Sequence, residues 1–327
     1  MAQTSVIVAL PQPFVKQRPS LTHTTPRLPP HLGIGIGILA VSTASIFIRF
    51  AQQAGAPSLV IAAYRLTLAS LILIPVALWR HRAELRALTR REWLLAATSG
   101  VFLGAHFGTW ISSLAYTTVA SSAVIVNTAP LFVALISAVF LRERPSRAIG
   151  IGMVIALIGG MSVGLSDTCS LAGCPPLGEF VRGRAFIGDL LALAGAVAFA
   201  IYYVIGGKLR ASMSLITYIS LTYGSAAVVL MAVMLAARLP ATGYAPTTYL
   251  WFLLLALIPQ LIGHSAFNWA LKYLPATFVA VTVLGEPIGS TILALFLLRE
   301  TPSVLKVLGG ALILVGILIA SQQADRR

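Results

Sequence analysis

The chain has 327 residues, of which 58% are hydrophobic and only 10% charged, with a mean hydropathy of +0.91 and a net charge of +14. A soluble domain carries about 25% charged residues, so this composition excludes a water-soluble globule and points to an integral membrane protein. The positive charge is not a nucleic-acid footprint, since its Lys and Arg residues are not interleaved with exposed aromatics.

In chain order, residues 1–31 are rich in Pro, Thr and Gln and read as a disordered cytoplasmic tail. Their one apolar patch, Val6–Leu10, is too short for a signal-peptide core. A bilayer span needs ~20 apolar residues, and ten such runs follow: 32–51, 58–78, 93–113, 121–141, 147–165, 186–206, 215–236, 248–270, 276–297 and 303–321. They are continuously apolar and do not alternate, which favours helices over a barrel. The fold class expected is therefore all-α, with ten transmembrane helices. Gly33, Gly35 and Gly37 in span 1, and Gly159, Gly160 and Gly164 in span 5, suit close helix packing. Trp79, Trp93 and Trp251 fall at span ends, where interfacial aromatics gather. The loop 166–185 holds Cys169 and Cys174, which read either as a small disulfide ring on an oxidising side or as two free thiols. Residues 322–327 form a second short tail.

Ten spans put both termini on one side. With that side cytoplasmic, the inner segments carry sixteen Lys and Arg residues and the outer ones six, while Arg65 lies inside span 2. This positive-inside bias fixes the orientation, with both termini cytoplasmic; the membrane expected is the cell (inner) membrane.

The sequence also repeats itself. A shift of 157 residues brings Leu114, Tyr116, Ala123, Val124, Val126 and Pro130 onto Leu271, Tyr273, Ala280, Val281, Val283 and Pro287. The same register, without gaps, carries Leu141, Arg142, Glu143 and Pro145 onto Leu298, Arg299, Glu300 and Pro302. Each half, 32–165 and 186–321, is five spans, an odd number, so the copies are expected in opposite orientations. Inverted repeats with interrupted helices are a transporter architecture, with a site near the midplane. Pro130 and Pro287 are the expected helix kinks.

These features make the chain resemble the drug/metabolite transporter superfamily, in its ten-span EamA-type group. The resemblance rests on Glu286-Pro287, the Arg-Glu-x-Pro ends of spans 4 and 9, Gly188-Asp189 and Arg65. It implies a basket of ten helices around a cavity lined mainly by spans 1, 3, 4, 6, 8 and 9, and export or exchange of small metabolites, often amino acids. The chain departs from many relatives in span 1, where Ser42-Thr43-Ala44 stands in place of Trp-Gly.

Glu286 is the residue of first interest. It sits about ten residues from either end of its span, ~15 Å deep, where a carboxylate is costly and functional by default. It reads as a proton or ammonium site, or as an interhelical hydrogen-bond partner. Only Ala129 occupies the matching position in the first half. Arg65, ~10 Å deep, reads as a charge partner for Glu286 or for a substrate carboxylate, or as a snorkelling cation. His106, Trp110, Asn127, Tyr202, His264 and Asn268 each have a packing reading, the histidines as interhelical hydrogen-bond partners, and together they make an expected cavity suited to an amphipathic zwitterion or an aromatic-bearing metabolite. The expected partners are a small-molecule substrate, a proton and the lipid bilayer, with no nucleic acid, cofactor or metal. No phosphate loop, HExxH or nucleophile–base set marks an enzyme. The competing reading is a non-transporting receptor or assembly scaffold that retains the fold.

Overall fold

The computed structural model describes residues 28–116, 122, 125–141, 145–165, 184–297 and 303–321. Among the described residues all regular elements are helical. Span 1 is broken into α1 (Pro30–Val41) and α2 (Ala44–Gln53); α3 (Ser58–Arg80) is span 2, and a short α4 (Arg82–Ala87) leads to α5 (Arg90–Ser113), span 3. Span 4 contributes α6 (Ala129–Ile136), continued by a π-helical turn at Ser137–Leu141. Then come α7 (Arg147–Leu165), α8 (Arg184–Arg210) and α9 (Leu215–Ala236), spans 5, 6 and 7. Span 8 is α10 (Pro246–Leu255), a π-helical stretch Ala256–His264, and α11 (Ser265–Ala270). Span 9 is α12 (Ala276–Val283) and α13 (Glu286–Leu297), and α14 (Val304–Ser321) closes the chain.

Seven of these runs are long and apolar enough to cross a membrane: Pro30–Gln53, Ser58–Arg80, Arg90–Ser113, Phe186–Arg210, Leu215–Ala236, Pro246–Ala270 and Ala276–Leu297. Ala129–Phe140, Arg147–Ser162 and Val307–Ala320 are shorter apolar helices where the other three spans are expected. Large apolar side chains stand exposed around the outside, including Leu39, Phe140, Phe296 and Leu318. Such a belt fits lipid, because a soluble monomer rarely exposes so extended an apolar surface. Trp79 and Trp93 are exposed as expected of interfacial residues, whereas Trp251 is half-buried against the rings of Phe47 and Phe50, with centroids 5.8 and 4.8 Å away.

The local chemistry explains where helices start. Thr89 and Glu92 form a reciprocal capping box at the head of α5: the Thr89 N–H donates to Glu92 Oε2 at 2.8 Å, and the Glu92 N–H to Thr89 Oγ1 at 3.3 Å. Ser214 caps α9 through Oγ. Proline at the second position opens α6 and α13, where its missing N–H has no intrahelical partner to lose. Inside span 8, Pro259 cannot donate and crowds the carbonyl four residues back, and the backbone widens into the π stretch around it.

The helices pack mainly across the two halves of the sequence. Span 3 lies along span 6, span 1 along span 8, span 2 along span 7, span 4 against span 9, and span 5 along span 10. The glycines expected to allow close approach do so in part. A Cβ on Gly33 would strike Trp269 and one on Gly37 would press on Phe267, while Gly35 and Gly160 face open space. Helix α1 already begins at Pro30, inside the expected tail, and α8 at Arg184, inside the expected loop. Residues 1–27 and 322–327, Cys169 and Cys174, and the Arg142-Glu143 and Arg299-Glu300 pairs lie outside the described residues.

Candidate functional site

Three spans break near mid-length. Span 1 breaks at Ser42–Thr43, span 4 at Asn127–Thr128 and span 9 at Leu284–Gly285. The breaks of spans 1 and 9 meet: Ser42 Oγ donates to the Glu286 carbonyl at 3.3 Å and also to the Ile38 carbonyl at 2.7 Å. A side chain on Gly289 would collide with Ser42, so the glycine is what lets these two breaks touch. Around them lies a cavity with about 40 Å³ of water-accessible space. That is room for a few water centres, since one needs roughly 10–15 Å³.

The wall draws on spans 1, 3, 4, 6, 8 and 9, and on Arg65 from span 2. Of the residues singled out in the sequence, Glu286, His106, Trp110, Asn127, His264, Pro130 and Arg65 line it. Ala129, the counterpart of Glu286, lines it too. The half-helices α6 and α13 both start at this wall, so their N-terminal ends, with their partial positive charge, open on the cavity.

Each polar group has a definite setting. Glu286 occupies the first turn of α13 and is half-buried. His106 is 6% exposed; its Nδ1 lies 3.0 Å from the Gly195 carbonyl, and its ring stacks on Trp110 with centroids 5.8 Å apart. A neutral ring that donates from Nδ1 to a carbonyl presents Nε2 as an acceptor. His264 packs edge-on to Phe107, and its Nδ1 is buried with no partner. Arg65 is fully buried, so the snorkelling alternative does not hold. Its Nε donates to Gln260 Oε1 at 2.8 Å, and its guanidinium carbon sits 4.1 Å from the centre of the Phe107 ring. Arg65 and Glu286 line the same cavity, but among the described residues no ion pair joins them: Nη1 and Nη2 of Arg65 are both without a partner.

Tyr202 and Asn268 are not brought to the wall. The Tyr202 hydroxyl sits against the Asn268 amide, 2.9 Å from Oδ1 and 2.6 Å from Nδ2. Asn268 Nδ2 also donates to the His264 carbonyl at 2.9 Å and lies 3.2 Å from the Tyr223 hydroxyl, while Arg210 Nε donates to the Asn268 carbonyl at 2.9 Å. This buried network ties spans 6, 7 and 8 together, so the two residues act here as packing partners. Pro287 opens α13 beside Glu286 without lining the cavity. Gln260 is a functional candidate missed in the sequence. The available signal was an amide deep in an apolar span, one residue after Pro259 and four before His264. In the wide π turn such a spacing brings residues onto nearly one face.

Known proteins match this chain along almost its whole described length. The EamA-like transporter family matches it twice, at residues 31–164 and 186–322. An uncharacterized transporter of Archaeoglobus fulgidus is 26% identical over 89% of this chain and 96% of its own. The uncharacterized transporter YetK of Bacillus subtilis is 23% identical over 78% of this chain and 76% of its own. One protein crystal structure superposes with a TM-score of 0.72 at 20% identity, covering 91% of this chain and 98% of that one, a likeness of fold.

Proposed function

We propose that this chain, which belongs to the EamA-like transporter family and is a multi-pass membrane transporter, exports an amino acid or a related amphipathic zwitterion by alternating access. The observation that carries this reading is a single cavity whose wall comes from both family-matched stretches and holds an acid, two imidazoles and a guanidinium among aromatic rings. A zwitterion with an apolar side chain is complementary to that mixture. A scaffold would gain nothing from the desolvation of these groups.

The architecture behind the reading is ten spans in two inverted repeats, 32–165 and 186–321. The double family match supports it, as the two matches begin at 31 and 186 and end at 164 and 322, close to the 157-residue shift. So does the packing, which maps onto itself when each span is exchanged for the one five further on. Span 3 with span 6 has its counterpart in span 8 with span 1, and the pairs 2 with 7, 4 with 9 and 5 with 10 are their own counterparts. The chain sits in the cell membrane with both termini inside. Glu286 carries a proton or the substrate ammonium during the cycle.

Purified protein in liposomes is expected to catalyse counterflow of at least one labelled amino acid, at a rate that responds to a pH gradient. Glu286→Gln is expected to abolish that response. Counterflow of nucleosides alone would overturn the substrate class, and an unchanged rate and pH profile in Glu286→Gln would overturn the role of the acid.

A further inference from the structure

Two arginines are buried in this fold, and they are used differently. Arg210, 2% exposed, spends its donors on backbone carbonyls: Nε on Asn268, and Nη1 on Met213. That is what an arginine with a packing role does, since an unsatisfied buried cation is strongly destabilising. Arg65 is buried more completely, yet only its Nε is engaged. Its Nη1 and Nη2 are without a partner, and the residue forms part of the cavity wall. Gln260 on one side and the face of Phe107 on the other fix the plane of the guanidinium. The terminal edge left over is the two-pronged donor that matches a carboxylate.

The surroundings add to the case. The N-terminal ends of α6 and α13 open on the same cavity, and His264, whose Nδ1 is buried without a partner, is one of the residues of its wall. Glu286 is the acid on that wall, and it forms no ion pair with Arg65. A site with one cation and one anion held apart is the complement of a molecule with the same two charges.

We propose that Arg65 is the carboxylate-binding group of the cavity, positioned by Gln260, and that the substrate lies with its carboxylate on Arg65 and its ammonium toward Glu286. The inference rests on the transport reading above and deepens it to a substrate class, α-amino acids and their close analogues with a free carboxylate. Gln260 does not touch the substrate; it acts by holding Nε so that the terminal nitrogens face the cavity.

The test uses the full chain in proteoliposomes, with the common L-amino acids and the matching L-amino acid amides as competitors of labelled amino acid counterflow. In the wild type the acids are expected to compete at least about tenfold better than the amides, the scale of a lost charge-assisted hydrogen bond. Arg65→Gln is expected to bring that ratio close to one, and Arg65→Lys to keep part of it. Gln260→Ala is expected to raise the half-saturating concentration of the acids while leaving maximal rate and amide competition unchanged. Detergent melting curves and monodispersity check that each variant folds. If Arg65→Gln does not fold, Arg65→Lys and Gln260→Ala carry the test. An acid-to-amide ratio near one in the wild type, or unchanged in the Arg65 variants, or Gln260→Ala weakening acids and amides alike, would overturn the anchor while leaving amino acid transport standing. Counterflow of nucleosides alone would overturn the substrate class and the anchor together.

Discussion

Glu84 is a carboxylate with both oxygens satisfied, and it lies outside the spans, in the short helix α4. Its Oε1 accepts the Ser214 N–H at 2.7 Å, and its Oε2 accepts the Thr217 hydroxyl at 2.7 Å and the Ser214 hydroxyl at 2.5 Å. His81 Nδ1 lies 3.3 Å away. Partial burial pushes this carboxyl up, but the bonds from Ser214, Thr217 and His81 outweigh it and hold the group below its ordinary range. The anionic form is therefore favoured by folding. Its contribution is complete above the unfolded value of about 4.3 and is lost as pH falls through the lower folded value. Glu84→Gln is expected to cost about 1 kcal/mol near neutral pH, allowing for solvent screening of a half-buried group. Melting curves in detergent at pH 7 and pH 4 should show the gap between wild type and variant shrinking on acidification. A gap that stays constant would mean that the charge of Glu84 is not what holds the joint.

Where helices meet, backbone approach decides. A Cβ on Gly152 would lie 2.4 Å from the Gly316 carbonyl oxygen, and one on Gly316 would lie 2.5 Å from the Gly152 oxygen. Gly159 meets the Gly309 oxygen in the same way, at 2.5 Å. Gly150 faces open space. Gly152→Ala or Gly316→Ala must push α7 and α14 apart and is expected to cost about 1–3 kcal/mol, the scale of an overpacked core. Gly150→Ala is expected to be neutral or to stabilise by about 0.5–1 kcal/mol through helix propensity. Melting temperatures of the three variants in one detergent decide it, and equal effects would remove the close-contact argument. The sequence showed that span 5 would pack through glycines: of those singled out, Gly159 is at the contact and Gly160 is not, and Gly152 was missed. Gly160 and Gly164 follow the four-residue spacing of small-residue pairs. The contact runs instead through Gly152 and Gly159, seven apart, matched by Gly309 and Gly316, also seven apart. A seven-residue repeat keeps one seam in contact along two helices crossing at a shallow left-handed angle. The spans themselves were legible because ~20 apolar residues are a physical requirement. The breaks were only half legible. Pro130 and Pro287 mark two of them, but Ser42–Thr43 breaks span 1 without a proline. Likewise Glu286 announces itself as a mid-membrane acid, whereas the separation of Tyr202 and Asn268 from the cavity depends on which way each helix is rotated, and that is set by tertiary packing.

At the scale of the molecule, the two halves are interleaved rather than placed side by side. Spans 3 and 6, and spans 1 and 8, are close pairs drawn from opposite halves. Any rocking motion therefore has to move mixed pairs about the cavity and not one half against the other. The joints between halves also sit at opposite ends. Tyr64, near the start of α3, donates to the Ala241 carbonyl beyond the end of α9 at 2.6 Å. Glu84, just past the end of α3, holds Ser214 at the start of α9. Helices α3 and α9 therefore run antiparallel, and the 23 residues of α3 measure ~34 Å from end to end. The cluster Arg80, Arg82, Arg86, Arg90 and Arg91 belongs to the Glu84 end, which the positive-inside rule assigns to the cytoplasm. The turn around Thr242 then faces outward. In a background with Cys169 and Cys174 replaced by Ser, single cysteines at the exposed positions Arg86 and Thr242 are expected to react with an impermeant maleimide from opposite faces. Arg86→Cys should label only in inside-out vesicles and Thr242→Cys only in intact cells. Labelling of both from one face would break the antiparallel arrangement of spans 2 and 7, and with it the ten-span inverted scheme. Labelling from opposite faces with the sides exchanged would keep the scheme and reverse the orientation of the carrier in the membrane.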